Sequence, residues 1–393
     1  MKIVSVEIFK VTGRYSGQRF PFCGWPAHNT GTYPHPRVPA PPATQFQLRD
    51  PGEISAAFLR IDTDEGVQGF YGPVDDVALA PILQILRPQL LGADPLAQEA
   101  LHDRLRHHRH GRAGFFQIAV SAVDLALWDL RGRAAGVPVY RLLGGPTRTR
   151  VQAYASMLGF PTDPASAALT AIQYKNNGYS SQKWFFSYGP GDGDAGRAHN
   201  LDLARALREA VGPDYPLMFD GTRCWTSLYA REMFAALAPL RPRWIEEPVF
   251  GDPIDTLRSL RGYGVPIATG EHIFGCAAAK DLLVAGVADI LQCDVDWTGG
   301  LTESLKIAAL CAAFEIPFFP HGHNYAPALH LIAARPPSVM PMIEFLVQLA
   351  DEKQFFFKQP LRCTDGFVDL PTQPGLGTDL DESKITRRET VNA

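Results

Sequence analysis

The sequence lacks any close pairing of cysteines. Its 393 residues include six cysteines, and none of them forms a Cys-x-x-Cys motif. The six are spread along the chain at Cys23, Cys224, Cys276, Cys293, Cys311 and Cys363. A small disulfide-stabilised domain would need closer and more regular spacing. The distribution therefore predicts reduced, mostly buried thiols in a cytoplasmic protein.

A long apolar run is also missing. The first residues, "MKIVSVEIFKVTGRY", alternate apolar and polar side chains, as a β-strand does. They contain neither the apolar core nor the cleavage site of a signal peptide, and no later run approaches membrane-spanning length. We expect a soluble cytoplasmic protein with no membrane partner.

A large excess of positive or negative charge is absent as well. The net charge is −4 and the pI is about 6.3, so nucleic acid is not an expected partner. One basic run, "RLRHHRHGR" at 104–112, is interpreted as a solvated helix end. Apolar residues make up 46% of the chain, enough to bury the core of one large domain or two ordinary ones.

Short apolar runs that end in polar residues recur at intervals of about 25 residues. Helical patterns lie between these runs, as in the βα units of a parallel sheet. Eight such strands fall between residues 150 and 346, which favours a closed (β/α)8 barrel of the TIM type. Six of them end at polar positions: Asp220, Glu246, Glu271, Asp294, His321 and Glu344. Active sites of such barrels lie at these strand ends.

The first part of the chain has a different pattern. Residues 56–75 resemble a β-hairpin that turns at Asp64–Gly66, and helical segments follow. We predict an α+β capping domain at 1–125, a barrel at 126–355, and a segment at 356–393 that returns to the cap. The Pro-rich stretch 32–45 cannot be a helix or a central strand, and it is typical of a long loop.

Three carboxylates end successive barrel strands, namely Asp220, Glu246 and Glu271. At matching heights on adjacent strands they converge, and an all-oxygen ligand set suits Mg²⁺. Strand alternation predicts that Glu247 points to the face opposite Glu246. The alternative is that the strand-end acids only cap the helices that follow, which would explain one or two of them but not the whole series.

Asp294 and His321 end the next two strands. A carboxylate beside an imidazole fixes its tautomer and raises its basicity, so this pair is a candidate general base.

The chain resembles the mandelate racemase-like branch of the enolase superfamily, and is most similar there to acid-sugar dehydratases of the L-rhamnonate dehydratase kind. The resemblance lies in "AVSAVDLALWDLRGRAAGVPVYRLLGG" (119–145), "WIEEP", "TGEH", "DILQCDVDWTGGLTESLKIAAL" and "PGLG". It implies Mg²⁺ bound by Asp220, Glu246 and Glu271, which would acidify the α-proton of a bound carboxylate and stabilise the enediolate.

The same resemblance implies roles for four further positions. It places His321 and Asp294 in a catalytic dyad. It places Glu344 on the substrate carboxylate and His272 near the substrate.

One departure from the resemblance bears on the reaction. Racemases of this branch carry Lys-x-Lys at the end of the second strand, whereas this chain has Lys183-Trp184-Phe185. Racemisation needs a base on each face of the α-carbon, and Phe185 cannot move a proton. Elimination can use one histidine as base and then as acid. We therefore expect dehydration of an aldonate-type acid sugar to a 2-keto-3-deoxy acid, with Lys183 supporting the substrate carboxylate.

Alternatives remain open at this point. An epimerase or racemase of the same fold is one, and a catalytically silent, metal-stabilised barrel is another. "GDGDAG" (191–196) fits a dinucleotide fingerprint, but its aspartates would repel a pyrophosphate. "HGH" (321–323) resembles a zinc pair, but at the wrong strand for amidohydrolase barrels.

The sequence does not identify the sugar acid. We expect the loop at about 12–50 to select it, with His28, His35 and Arg37 as candidate contacts. A homo-oligomer is expected.

Overall fold

A computed structural model of the chain describes residues 1–17, 52–107 and 114–392. His28, His35 and Arg37, and with them most of the expected specificity loop, lie outside the described residues. So does the end of the basic run at 104–112.

The N-terminal strands form the antiparallel sheet of the cap. They are β1 (Ile3–Tyr15), β2 (Gly52–Thr63) and β3 (Gln68–Tyr71). β2 and β3 form the expected hairpin, with Gly66 at a φ of 78° in the turn between them, where glycine is favoured. The helices that follow are α1 (Asp76–Pro81), α2 (Arg87–Leu90) and α3 (Gln98–Arg106), with a π-helical turn at Ile82–Leu86.

Two helices connect the cap to the barrel. They are α4 (Phe115–Ala134) and α5 (Val139–Leu142). α4 is buried over most of its length, because the barrel lies on one side of it and the cap sheet on the other. The predicted domain boundary at 125/126 falls inside this continuous helix.

The barrel begins with four strand–helix units. They are β4 (Arg150–Ser156), α6 (Pro164–Asn176), β5 (Gln182–Phe185), α7 (Gly193–Val211), β6 (Leu217–Asp220), α8 (Ser227–Leu237), β7 (Trp244–Glu246) and α9 (Ile254–Leu260). The rest of the barrel consists of β8 (Ile267–Thr269), α10 (Gly275–Ala285), β9 (Ile290–Leu291), α11 (Gly300–Ala313), α12 (Tyr325–Ala333) and β10 (Met342–Leu346).

The barrel closes because its last strand, β10, pairs with its first strand, β4. β4 to β9 pair in parallel in chain order, and β10 pairs in parallel with β4. Residues 317–319 take the eighth position: Phe318 pairs with Leu291 of β9, and its N–H donates to Val339, just before β10, at 2.8 Å. The prediction of a (β/α)8 barrel is confirmed. Large inward side chains fill its interior, among them Tyr154, Met218, Trp244, Ile290, Phe319 and Met342.

The end of the chain returns to the cap, as expected. After α13 (Ala350–Lys353), β11 (Cys363–Thr364) and β12 (Phe367–Asp369) form a small hairpin against β4. β13 (Arg387–Val391) then pairs antiparallel with β1 and completes the cap sheet. The described part of the chain also has 3₁₀ turns at Pro190–Asp192, Ala238–Leu240, Arg261–Tyr263 and Glu382–Lys384.

Within these residues we find no helix with the length and apolar character that crossing a membrane requires.

Candidate active site

The carboxyl ends of the barrel strands hold a buried group of charged side chains. The ladder places Phe185 opposite Asp220, and Asp220 opposite Glu246. Because the strands are parallel and adjacent, these residues stand at one height at the mouth of the barrel.

Lys183 is at the centre of this group. Its Nζ lies 2.8 Å from Glu344 Oε1 and 3.4 Å from Asp220 Oδ2, and it also contacts Glu246. The side chain is 1% exposed, and an ammonium so buried needs opposite charge. Burial alone would lower its pKa, but Glu246 and Glu344 hold the pKa well above its usual value.

Of the three predicted metal ligands, Asp220 and Glu246 are buried and Glu271 is 14% exposed, and each has a raised pKa. Burial raises the pKa of Asp220 to about 6, against the effect of Lys183. It raises the pKa of Glu246 and of Glu271 to about 7. Each therefore resists carrying a negative charge without further positive charge nearby.

Hydrogen bonds fix two of these carboxylates. Glu246 Oε2 accepts from Trp244 Nε1 at 3.1 Å and from Gln292 Nε2 at 2.6 Å. Asp220 Oδ1 accepts from the N–H of Thr222 at 2.7 Å.

Glu271 contacts different partners from the other two. Its Oε1 lies 3.4 Å from His321 Nε2 and 3.5 Å from His272 Nε2. Lys183 therefore joins Asp220 and Glu246 directly, whereas Glu271 faces the histidines.

His321 and Asp294 form a close pair. His321 Nδ1 and Asp294 Oδ2 are 2.6 Å apart, and Asp294 is fully buried. Burial alone would lower the pKa of His321, but Glu271 and Asp294 raise it to about 10. The hydrogen bond at Nδ1 directs Nε2 into the mouth of the barrel, on the side where Glu271 lies. The arrangement is that of an oriented proton-transfer group.

Glu344 lies beside this pair on β10. Its Oε2 accepts from the N–H of Gly322 at 2.9 Å, next to His321 in the chain. Burial alone would raise its pKa, but Lys183 and His321 outweigh burial and lower the pKa to about 2. Glu344 is therefore ionised at neutral pH.

The strand alternation from which Glu247 was predicted to point away from Glu246 does not extend to Glu247. β7 ends at Glu246, and Glu247 has a φ of 36°, outside strand geometry, so the alternation of faces stops there. The Glu247 side chain is buried, and its Oε2 lies 2.8 Å from His272 Nδ1. Glu247, Glu271 and His272 have ligand atoms within 4.8 Å of one another, close enough to hold a metal.

Sequence reasoning missed several polar side chains near the dyad. The indole ring of Trp297 lies between three imidazoles, with centroid distances of 5.6 Å to His272, 5.1 Å to His321 and 5.0 Å to His323. His323 faces Asp296 rather than forming a metal pair with His321: its Nδ1 is 3.7 Å from Asp296 Oδ2. The motif "DVDW" (294–297) after β9 was the available signal, because it puts Asp296 and Trp297 close to Asp294 at a strand end.

The two aspartates of the dinucleotide-like stretch at 191–196 contact residues close to them in the chain. Asp192 Oδ2 accepts from the N–H of Gly189 at 2.8 Å, and Asp194 pairs with Arg197 at 2.8 Å. Both contacts are within the same short segment, which fits a helix start rather than a phosphate site.

The donor chemistry of the strand ends fits a divalent cation. Asp220, Glu246 and Glu271 offer carboxylate oxygens, the ligands that Mg²⁺ prefers. Burial raises the pKa of all three carboxyl groups, so each carries its negative charge poorly unless a cation is close by. A bound cation would lower those values, so the residues present are compatible with a metal.

Two known protein families match parts of this chain. Residues 166–384 match the family described as "Enolase C-terminal domain-like". Residues 33–144 match the "Mandelate racemase / muconate lactonizing enzyme, N-terminal domain". The two matches together span cap and barrel.

Three similar proteins illustrate the range of activities. L-rhamnonate dehydratase from Saccharopolyspora erythraea is 36% identical over 293 residues, which cover 71% of this chain and 70% of that protein. D-galactonate dehydratase from Ralstonia nicotianae is 31% identical over 357 residues, covering 84% and 90%. The crystal structure of a racemase from Streptomyces coelicolor A3(2) with bound magnesium has a TM-score of 0.77 and 27% identity, and the match covers 98% of each chain.

The family matches, these relatives and the closed barrel agree with one another. The chain belongs to the mandelate racemase/muconate lactonizing enzyme family of the enolase superfamily, and it is similar to the acid-sugar dehydratases of that family.

Proposed function

We propose that this protein is a Mg²⁺-dependent dehydratase that converts an aldonate-type acid sugar to a 2-keto-3-deoxy acid. The observation that carries the proposal is the dyad, in which His321 Nδ1 and Asp294 Oδ2 are 2.6 Å apart beside three strand-end carboxylates. The dehydratase names of two relatives, for L-rhamnonate and D-galactonate, support the reaction class.

Asp220, Glu246 and Glu271 would hold the metal. Mg²⁺ supplies positive charge that acidifies the proton next to the substrate carboxylate and stabilises the enediolate. The magnesium in the racemase from Streptomyces coelicolor supports this choice of ion.

His321 moves the protons in the proposed reaction. Its Nε2 takes the α-proton from C2 and leaves an enediolate. The protonated imidazole then gives that proton to the departing C3 hydroxyl, which leaves as water. The resulting enol becomes the 2-keto acid when the enol proton moves to C3, so atoms and charge balance. Asp294 stabilises the imidazolium between the two steps.

Lys183 would hold the substrate carboxylate by supplying positive charge at the barrel mouth. Glu344, which accepts from the N–H of Gly322 and pairs with Lys183 at 2.8 Å, would hydrogen-bond the substrate carboxylate only when it takes up a proton. Phe185 stands where a second base would have to stand for racemisation, and a phenyl ring cannot move a proton. This favours elimination over epimerisation.

Substrate selection is assigned to residues 12–50, with His28, His35 and Arg37 as contacts and His272 as a further contact in the barrel. Arg37→Ala and His35→Ala should raise KM for the best substrate and leave Mg²⁺ affinity unchanged in calorimetric titration. A wild-type substrate profile in both variants would place selection elsewhere.

The proposal is tested by screening acid sugars for 2-keto acid formation with Mg²⁺. We expect turnover that a chelator abolishes and added Mg²⁺ restores. In deuterated solvent, exchange at C2 should be stereospecific, because one base reaches one face. Full activity in metal-free protein would refute the metal assignment. Accumulation of the C2 epimer would refute the dehydratase proposal in favour of an epimerase, with Lys183 as the second base.

A further inference from the structure

A set of hydrogen bonds joins the cap to the loop that follows β9. Tyr71, at the end of β3, donates its hydroxyl hydrogen to Asp296 Oδ1. Asn324 Nδ2 donates to the same hydroxyl oxygen at 3.3 Å. Shortly after β3, Asp75 Oδ2 accepts from Trp297 Nε1 at 3.2 Å. Two cap residues thus contact two successive residues of one barrel loop.

Both barrel partners are in contact with the dyad. The backbone N–H of Asp296 donates to Asp294 Oδ1 at 2.7 Å, so it holds the carboxylate that orients His321. The indole of Trp297 lies against the imidazole of His321, with centroids 5.1 Å apart and ring planes 35° apart. Asp75 therefore reaches the proposed base through one residue, Trp297, and Tyr71 reaches it through two, Asp296 and Asp294.

An imidazole held by one hydrogen bond can still shift by rotation about its Cα–Cβ and Cβ–Cγ bonds. The indole of Trp297, tilted by 35° against the imidazole, restricts this movement, and the indole is itself held through its N–H by Asp75. The proposed reaction needs Nε2 at two positions in turn, C2 and the C3 hydroxyl, and small errors in such positions are costly to the rate.

We infer that Tyr71 and Asp75 are positioning residues of the cap, which set the orientation of His321 through Asp296 and Trp297. This inference rests on the proposed role of His321 as general base. It means that the cap contributes to proton transfer as well as to substrate selection.

The first experiment compares Asp75→Ala with Asp75→Asn. Alanine removes the acceptor of the Trp297 N–H, and we expect kcat to fall tenfold to a hundredfold while KM stays within about twofold. Asparagine keeps a carbonyl oxygen for that N–H but loses the charge that faces His323, 3.5 Å away. Recovery of most of kcat in Asp75→Asn would identify the hydrogen bond as the cause.

Trp297→Phe and Tyr71→Phe extend the test. Trp297→Phe removes the N–H and keeps a ring, so the double variant with Asp75→Ala should be no slower than the slower single variant. Tyr71→Phe should lower kcat in the same way. The control is Asp76→Ala, which changes the exposed neighbour of Asp75 and should leave kcat and KM unchanged. Thermal unfolding confirms that each variant is folded.

A second measurement does not depend on turnover. The hydrogen-bonded Nδ1 proton of His321 should give a proton NMR signal downfield of the amides, assigned by its loss in His321→Asn. We expect this signal to shift or broaden in Asp75→Ala, to return in Asp75→Asn, and to be unchanged in Asp76→Ala.

The outcomes separate the two proposals. An unchanged signal with unchanged kcat in Asp75→Ala would overturn the inference, as would a loss confined to KM, which would make Asp75 a substrate contact. If the signal responds as expected but the wild type dehydrates no acid sugar, the proposed reaction fails and the positioning role stands.

Discussion

Glu246 and Glu247 are adjacent in sequence but lie in different environments. Glu246 is within β7 and accepts from Trp244 and Gln292, whereas Glu247 leaves the strand at a φ of 36° and contacts His272. Burial raises the pKa of Glu247 to about 8, and the nearby Asp252 adds to the effect. Glu247 lies with Glu271 and His272, whose ligand atoms are all within 4.8 Å of one another, whereas Glu246 contacts Lys183, so Glu247 is a geometric alternative to the predicted ligand Glu246.

Matched variants distinguish the two glutamates. Glu246→Gln should weaken Mg²⁺ binding at least a hundredfold in calorimetric titration, because an amide replaces a charged ligand. Glu247→Gln should leave Mg²⁺ affinity within a few-fold of wild type and lower activity through its hydrogen bond to His272. The reverse pattern would assign the metal to Glu247, Glu271 and His272.

The dyad predicts a graded loss of activity. His321→Asn should lose turnover by about three orders of magnitude or more, since it removes the group that serves both proton steps. Asp294→Asn should lose less, because the imidazole remains but is poorly oriented. Both should bind Mg²⁺ normally, since Asp220, Glu246 and Glu271 are unchanged. Equal activity of His321→Asn and wild type in steady-state assays would exclude His321 as the base.

Strand ends were predictable from sequence at the residue scale, and contacts beyond them were not. The repeat placed Asp220, Glu246, Glu271 and Asp294 at the ends of four consecutive strands because apolar runs spaced by about 25 residues stop there. It could not predict that Glu247 contacts His272, since the backbone departs from strand geometry at Glu247, a residue that is not glycine. Nor could it pair Tyr71 with Asp296, which are 225 residues apart and related by no local pattern.

At the scale of elements, α3 of the cap is joined to α4 and α11 by a buried histidine. His102 Nε2 lies 3.1 Å from Glu303 Oε2, and its Nδ1 lies 3.6 Å from Asp124 Oδ1. Arg106 also contacts Glu303, at 3.4 Å. Burial alone would lower the pKa of His102, but Asp124 and Glu303 raise it to about 9. The imidazole is therefore charged at neutral pH and joins the three helices electrostatically.

This histidine predicts how stability depends on pH. The folded-state pKa of about 9 exceeds the ordinary value of 6.5, so the contribution of His102 is complete below about pH 6.5 and is lost as pH rises through about 9. His102→Gln should lose about 3 kcal/mol of unfolding free energy at neutral pH, as expected when one partner of a buried ion pair is removed.

The measurement is denaturant unfolding at pH 7 and pH 10. The deficit of His102→Gln relative to wild type should shrink at the higher pH. The control is His107→Gln at the exposed end of α3, which should change stability by less than about 0.5 kcal/mol. An equal deficit at both pH values would show that lost packing, not charge, accounts for the effect.

Element boundaries were only partly predictable. Barrel strands of two to five residues, such as β9 (Ile290–Leu291), are too short to be bounded by pattern, although their existence follows from the period. The continuity of α4 across 125/126 was missed because this helix is apolar on nearly all sides, as a helix buried between two layers is.

On the scale of the whole molecule, β13 completes the cap sheet beside β1. Its removal exposes the hydrogen-bonding edge of β1 and leaves the barrel intact. A chain shortened before Arg387 should show faster amide hydrogen exchange in β1 and β2, with β5 and β6 unchanged, and a reduced kcat through the cap contacts to Asp296 and Trp297. Unchanged exchange in β1 would mean that the cap is stable without this strand.

The homo-oligomeric state and the cytoplasmic location expected from the sequence stay predictions. Size-exclusion chromatography with light scattering measures the first, and fractionation of cells measures the second.

The pairing of β1 with β13 also sets an order of events during synthesis. During synthesis β1 emerges first and β2 soon after it, whereas β13, the other partner of β1, emerges only after every barrel unit has been made. The nascent barrel can therefore assemble its mouth and bind a cation while the cap sheet still lacks one edge. Because the cap contacts the loop that holds the proposed base, full turnover should begin only after β13 has been made and has paired with β1.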